Sequence, residues 1–349
     1  MTLTSSHRIS HRHLALAAAL ACVLALSCVL LAGCGSDGAK ETSGTSSSAE
    51  SSSASSSATE SASSSQTVSF TDDLGRSVEV PKKPKRVVAG MGSFADMWQL
   101  AGGTLVGATD EAFADYGIDK DKVSSIGGFS SINQETLLAL NPNFVILTGT
   151  TEGQAGTADQ TQLADALEAA GVPVAYFKVT TFDDYLRVLR TMCDITGRDD
   201  LYKKNGTQVK KRIGNAIEKY GAAAKGKKVM VGVSYSQGVR VLRSDSQTGT
   251  MLADLGATNI ADENQSLLED FSTEALLDID PDYIFIIPMG TSEAATKSSL
   301  ENLTSDTSWK SLTAVKKGHF FTLDPDLYMY KPNNKWDKAY VQLGKDFLK

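Results

Sequence analysis

From Thr67 onward, short apolar runs alternate with stretches in which apolar residues recur every three or four positions. The runs read as buried strands and the periodic stretches as amphipathic helices; their alternation predicts an α/β fold whose central sheets are flanked by helices. "VSFTDDLGRSVEVP" opens as a hairpin turning at Asp73–Gly75. The strand "RVVAG" follows, then a helix "SFADMWQLAG" with Ser93 as its expected cap, Asp96 three residues on, and Phe94, Trp98 and Ala101 along one face. "LVGAT", "FVILTG" and "VPVAYF" are further strands, with "TQLADALEAAG" a helix before the last. Phe182–Ala224 differs: it is helical almost throughout, broken at "TGRDD", where Gly197 ends one helix and Asp199 or Asp200 can cap the next. Val209, Ile213, Ile217 and Tyr220 then keep helical spacing, and Cys193 joins Leu186 and Leu189 on a buried stripe. The α/β pattern restarts at "KKVMVGVSY" and runs through "YIFIIPMG" and "HFFTLD" to a last helix with Trp336, Tyr340, Leu343 and Phe347 on one face.

The restart is a repeat. "ETLLALNPNFVIL" at Glu135 and "EALLDIDPDYIFI" at Glu274 share Glu, Leu-Leu and Pro at an offset of 139 residues, each behind a cap-forming Asn133 or Ser272. "TGTMLADLGATNI" likewise parallels "ADMWQLAGGTLVG". Two similar lobes joined by a helical spine leave a cleft between them. The expected organisation is residues 67–181 as an N-terminal lobe, 182–226 as the spine and 227–349 as a C-terminal lobe.

The first 66 residues do not belong to that pattern. Residues 1–33 carry Arg8, Arg12 and a long apolar run without an acid, the pattern of a secretory signal. "LAGC" at Leu31–Cys34 has the form of a bacterial lipobox, with Cys34 as the lipidated new N-terminus; the alternative is an uncleaved anchor helix. Residues 34–66 are rich in Ser and poor in bulky apolar groups, as in a disordered tether. Loss of the signal would take the formal charge from −7 to −9, a balance that argues against a nucleic-acid partner. It would also leave Cys193 without a disulfide partner and His319 as the one histidine, which excludes a multi-histidine metal site. No G-x-S-x-G or S-x-x-K signature is present, and a single histidine makes a catalytic triad implausible, so no enzyme activity is expected.

The lobe repeat, the spine, "DDLGRSVEVPKKPKRVV", the two E-x-L-L-x-[LI]-[ND]-P-[ND] elements and "YKPNNKW" together resemble the substrate-binding lipoproteins of iron-siderophore, haem and cobalamin ABC importers, over residues 67–349. The resemblance implies a monomeric receptor on the outer side of the membrane, of a Gram-positive type of cell, that closes little on binding and has no cofactor of its own. Its partners would be the chelate, the membrane through the lipid on Cys34, and an ABC permease with its ATPase. Glu135 and Glu274 would dock on permease arginines. Cleft loops would offer Ser93, Tyr116, Phe129, Tyr235, Met289, Tyr328 and Tyr330, with Arg240, Arg243 and Lys331 as cations for an anionic chelate. Trp98 and Trp336 read as core, and His319 as the start of a strand in preference to a haem ligand. A surface adhesin or scaffold is the alternative function; it leaves the repeated glutamates unexplained.

Overall fold

A computed structural model describes residues 66–149, 160, 163–235, 238–269, 271–289 and 293–349. The described residues belong to one compact unit, Ala62–Lys349; the signal, the lipobox with Cys34 and the Ser-rich tether lie outside them. None of the described helices is long and apolar enough to cross a membrane.

Strands β1 (Thr67–Thr71) and β2 (Ser77–Pro81) form the expected hairpin. Its tight turn is made by Asp72, whose Oδ1 accepts from the Leu74 and Arg76 amides at 3.1 and 2.9 Å while Oδ2 pairs with the Arg76 guanidinium. Asp73 ties the hairpin to the spine through Arg187 at 2.7 Å. The first lobe is then a five-stranded parallel sheet of β3 (Val87–Ala89), β4 (Leu105–Ala108), β5 (Ser124–Ser125), β8 (Phe144–Thr148) and β9 (Val174–Phe177), in the order β5-β4-β3-β8-β9; β6 (Gly127–Gly128) and β7 (Ser131–Ile132) make a small separate hairpin. The helix after β3 spans Gly92–Leu100. Met91, in extended backbone, occupies its cap position and makes no side-chain cap bond, so Ser93 is not the cap expected from its sequence. The cap lies two residues earlier than the polar spacing implied, which carries Ser93 inside the first turn, 1% exposed.

The spine consists of Phe182–Thr196, Asp199–Tyr202 and Gln208–Ala224, the last two joined through a wide π turn at Lys203–Thr207. Thr181 and Asp184 form a capping box at its start, and Gly197 ends the first helix in left-handed backbone. Asp199 and Asp200 do not cap the second helix; they lie in its first turn and pair with Arg190 and Arg198. The C-terminal helix Trp336–Asp346 packs along the spine. Gly344 allows this, because a Cβ there would sit 2.4 Å from the Tyr220 ring.

The second lobe has the order β11-β10-β13-β14, with β12 also on β10: β10 (Lys228–Tyr235), β11 (Gly238–Leu242), β12 (Thr258–Asn259), β13 (Tyr283–Pro288) and β14 (Phe320–Thr322). All its pairings are parallel except β10–β11. Alternate residues of the central strands face two sides, as pleating requires. Val87, Ala89, Phe144 and Ile146 join Val229, Val231, Val233, Phe285 and Ile287 in one core that also takes in the spine and Trp336; Cys193, Trp98 and Tyr340 lie in it as expected. Val88, Val145 and Leu147 form a second core outside the first sheet, and Met230, Ile284 and Ile286 a third outside the second. Both lobes are thus held against the spine by the inner faces of their sheets.

Candidate functional site

The two glutamate elements superpose function by function. Asn133 Oδ1 accepts from the Thr136 amide at 2.9 Å, and Ser272 Oγ from the Ala275 amide at 3.1 Å, so both helices are capped. Leu137 and Leu276 are fully buried. Asn141 and Asp280 each adopt a φ of 45°, the left-handed conformation that Asn and Asp tolerate best among side-chain-bearing residues. Pro142 and Pro281 are buried behind them. Asn143 Oδ1 accepts from the Arg86 amide at 3.1 Å while its own amide donates to the Arg86 carbonyl at 2.8 Å. Asp282 Oδ2 accepts from the Lys228 amide, and its amide donates to the Lys228 carbonyl, both at 2.9 Å. Every repeated position therefore has a local task except the glutamate. Glu135 and Glu274 are exposed in the first helical turn, and neither carboxylate makes a hydrogen bond or ion pair among the described residues.

The lobes also meet, through residues near the ends of their strands. The Asn333 side-chain amide donates to the Ser93 carbonyl at 3.0 Å and to Asp96 Oδ2 at 2.7 Å. Burial raises the Asp96 pKa, with the Asn333 bond and the charge of Lys335 opposing it. The Tyr116 hydroxyl donates to the Lys331 carbonyl at 3.3 Å, and burial holds that phenol above its ordinary pKa. The Lys331 ammonium donates to Gln247 Oε1 at 3.3 Å and makes no ion pair among the described residues. Burial pushes its pKa down to about 8. Tyr330 is half-buried; burial and then the nearby charges of Asp115 and Asp326 raise its pKa. Gln247 Nε2 also donates to the Tyr330 carbonyl at 3.0 Å, so Tyr116, Tyr330, Lys331 and Gln247 form one interlobe group.

Other expected residues fall around this group or away from it. Phe129 is half-buried, and its amide donates to both Glu111 carboxylate oxygens at 3.0 Å. Met289 follows β13, half-buried, with its amide on the Ser234 carbonyl at 2.8 Å. Tyr235 ends β10, and its hydroxyl accepts from Arg240 Nη2 at 3.4 Å. Arg240 lies on a strand and not in the expected loop: β11 pairs back along β10, placing Arg240 opposite Val233. The same register puts Leu242 opposite Val231, so Arg243 is carried away from the Tyr235 end and lies 3.8 Å from Asp262. Tyr328 is no rim ring. Asp324 caps the turn Pro325–Tyr328 and directs the ring inward, where it is 2% exposed and its hydroxyl donates to the Ala339 carbonyl at 2.9 Å. His319 stacks on Tyr283 at 4.3 Å and places Nδ1 3.0 Å from the Asp282 carbonyl, within the second lobe. Thr150, Thr151, Ser236, Gln237, Gly290 and Thr291 of the expected loops lie outside the described residues. Among the described residues no cluster of His, Cys, Asp and Glu could hold a metal ion.

Two residues with a part in this region carried no signal in the sequence. Asn333 sits in "YKPNNKW" without periodicity to mark it, in left-handed backbone with a φ of 49°. Gln160, 3% exposed, precedes a helix that spans Ala164–Ala169, and only its contacts reveal it.

Two α/β lobes on a helical spine, with polar and aromatic side chains between them, form the architecture of a solute-binding protein. The chain belongs to the periplasmic binding protein family, whose model matches residues 87–327. It is a binding protein and not an enzyme. It is 29% identical over 262 residues to the iron(3+)-hydroxamate-binding protein FhuD of Bacillus subtilis, covering 71% of this chain and 76% of that one. It is 26% identical to the Fe(3+)-citrate-binding protein YfmC of the same organism, over 74% of this chain and 78% of that protein. The fold matches the crystal structure of Staphylococcus aureus IsdE complexed with heme at a TM-score of 0.60 and 19% identity, covering 76% of this chain and 99% of that one.

Proposed function

We propose that this protein captures an iron chelate, haem or corrinoid outside the cell and delivers it to an ABC permease, held to the membrane by a lipid on Cys34. The observation that carries the reading is the pair Glu135 and Glu274: two exposed carboxylates without local partners, at equivalent stations of two lobes. A first-turn acid gains only ~0.3–1 kcal/mol from the helix dipole. A partner with two-fold symmetry would need one such contact on each lobe. For the ligand, Tyr116, Phe129, Tyr235, Met289 and Tyr330 supply apolar and stacking surface, Arg240 and Lys331 supply charge, and Ser93 acts through its backbone contact to Asn333. An unpaired, part-buried ammonium favours an anionic chelate.

The test is the absorbance spectrum and mass of whatever the purified full chain retains, followed by titration with ferric citrate, a ferric trihydroxamate, haem and cobalamin. At least one should bind with submicromolar affinity, about −8 kcal/mol or better. A chain that retains nothing and binds none of the four is not such a receptor. Anchoring has its own test: Cys34→Ser should leave the protein in the soluble fraction or as an unprocessed precursor, and normal processing with normal membrane association would remove the lipid from the account.

A further inference from the structure

We infer that Gln160 is the positioning residue of the first lobe's ligand wall: its buried side-chain amide fastens the loops after β3, between β6 and β7, and at the end of β8 into one preorganised surface. Its Nε2 donates to the Gly90 carbonyl at 2.6 Å and to the Phe129 carbonyl at 3.2 Å, and its Oε1 accepts from the Thr148 amide at 3.1 Å. Both amide hydrogens and the carbonyl oxygen are thus engaged, each with a different segment. Gln160 is itself held, since its backbone carbonyl accepts from the Tyr176 hydroxyl at 3.3 Å and from the Leu163 amide at 3.1 Å. The ends of β3 and β8 are already neighbours, with the Gly90 amide on the Ile146 carbonyl at 2.8 Å, so the side chain adds the Phe129 loop to that pair and bonds both strand ends beyond the ladder. Space is matched as closely as hydrogen bonding: a Cβ on Gly90 would stand 2.8 Å from Gln160 Oε1 and 2.6 Å from a Leu147 methyl.

The second lobe has a buried polar residue at the same offset, inside the helix Glu293–Ser305 where Gln160 precedes one. Ser299 follows Gln160 by 139 residues, the offset that separates the two glutamates, and is also buried at 3% exposure. Its hydroxyl lies 3.2 Å from that of Ser234 in β10. In both lobes the segment after the central strand reaches back to a neighbouring strand end. A glutamine at this station spans three loops, whereas the serine reaches a closer neighbour. Because Gln160 is buried, it acts on a ligand through the Gly90, Phe129 and Thr148 segments, whose backbone it holds, and not by contact. That consequence rests on the proposed function; the fastening itself does not.

Gln160→Met, Gln160→Glu and the parent full chain are compared by amide hydrogen exchange, melting and titration with ferric citrate, a ferric trihydroxamate and haem. In Gln160→Met, protection at residues 90–93, 127–131 and 148–149 should fall together, while the second lobe keeps its protection. Gln160→Glu can still accept from Thr148 but turns a carboxylate on two carbonyls. Burial there raises its pKa, so protection of the first two segments should be low at pH 8 and recover toward pH 5, as the neutral acid regains a donor. A global loss of stability would lower protection in the second lobe at pH 8 as well, whereas loss of the fastening leaves it at the parent value. Whichever probe binds the parent should bind Gln160→Met about 10-fold to 100-fold more weakly, about 1.4–2.8 kcal/mol. Unchanged protection, or losses at one segment alone, overturns the fastening. Coupled loss of protection with unchanged affinity overturns the role in binding. If the parent binds none of these probes nor cobalamin, the proposed function fails, and the exchange data still decide whether Gln160 fastens the three loops.

Discussion

At the outer end of each sheet, Asn143 and Asp282 clip the first strand through a side-chain acceptor and a backbone donor, at 3.1 and 2.8 Å in one lobe and 2.9 Å twice in the other. At the cleft end the lobes part company. The first draws three loops together through Gln160, and the second has a Ser234–Ser299 contact and an antiparallel hairpin that carries Arg240. The strand clips and the capped glutamate helices recur in both lobes, while the segments that follow the strands differ. That is the outcome expected if one binding partner has two equivalent halves and the other does not. Repeats that served folding alone would keep Glu135 and Glu274 only for the helix-dipole gain of ~0.3–1 kcal/mol.

The largest effect should come from breaking that equivalence at the glutamates. Changing both Glu135 and Glu274 to Arg should lower uptake by roughly tenfold per site, because each reversal adds repulsion where attraction was, at about 1.4 kcal/mol each. The single Ala variants should resemble each other and cost less. Ligand affinity should stay near the parent value, since neither carboxylate bonds any residue of the interlobe group. Normal uptake by the double Arg variant would leave the repeated glutamate as a helix-dipole residue only.

The repeat and the lobe architecture were legible because they rest on period: apolar runs set the strands, and a fixed offset exposed the duplication. Caps at Asn133 and Ser272 were legible for the same reason, being local. What escaped the sequence depends on partners remote in the chain. Ser93 reads as a cap until Met91 is seen to occupy that position. Tyr328 reads as a rim aromatic until the Asp324 cap turns it inward. Arg243 looks like a cleft cation until the β11 register removes it from the tip. Gln160 and Asn333 bond across 70 and 240 residues of sequence, separations at which no local pattern forms.

The cleft end is tested next by Lys331→Met. An ammonium that bonds an anionic ligand contributes about 1.5–3 kcal/mol, so whichever anionic probe the parent binds should bind ~10-fold to ~100-fold more weakly. In the parent, affinity should fall as pH rises through about 8, where Lys331 loses its proton, and the variant should lack that dependence. The effect on folding has the opposite sign. Between about 8 and the ordinary lysine pKa the unfolded chain holds a proton that the native state has released, so stability gains with rising pH in that window relative to Lys331→Met. Melting of both proteins at pH 7 and pH 10 measures it; parallel curves would show that burial does not perturb the ammonium.

Smaller effects are expected at the conserved ends. Asn143→Ala and Asp282→Ala each remove the acceptor of one strand clip, at about 1 kcal/mol, or about 2–4 °C in melting temperature. The two losses should match. Asp282→Ala keeps the backbone carbonyl that faces His319, so the histidine contact should not add to its cost. A clearly larger loss at either site would mean that the two ends of the molecule are less alike than their geometry.

The smallest effect should be that of Arg243→Ala, and it separates the two arginines of the second lobe. Residue type and proximity in sequence give Arg240 and Arg243 the same standing, yet only Arg240 contacts Tyr235 at the end of β10. Arg243 is 45% exposed in its side chain and 3.8 Å from Asp262, a surface pair of the kind that contributes roughly 0–1 kcal/mol to stability. Its carbonyl, which accepts from the Ser246 hydroxyl at 2.6 Å, survives the substitution, so the turn before the next helix should persist. Calorimetric titration of the probe that binds the parent into Arg243→Ala should therefore reproduce the parent affinity within about twofold, with melting within a degree or two, while Arg240→Ala binds measurably more weakly. If Arg243→Ala lost affinity as Lys331→Met does, the ligand would have to reach down the face of the β10–β11 hairpin, and the second wall would be larger than the strand ends define.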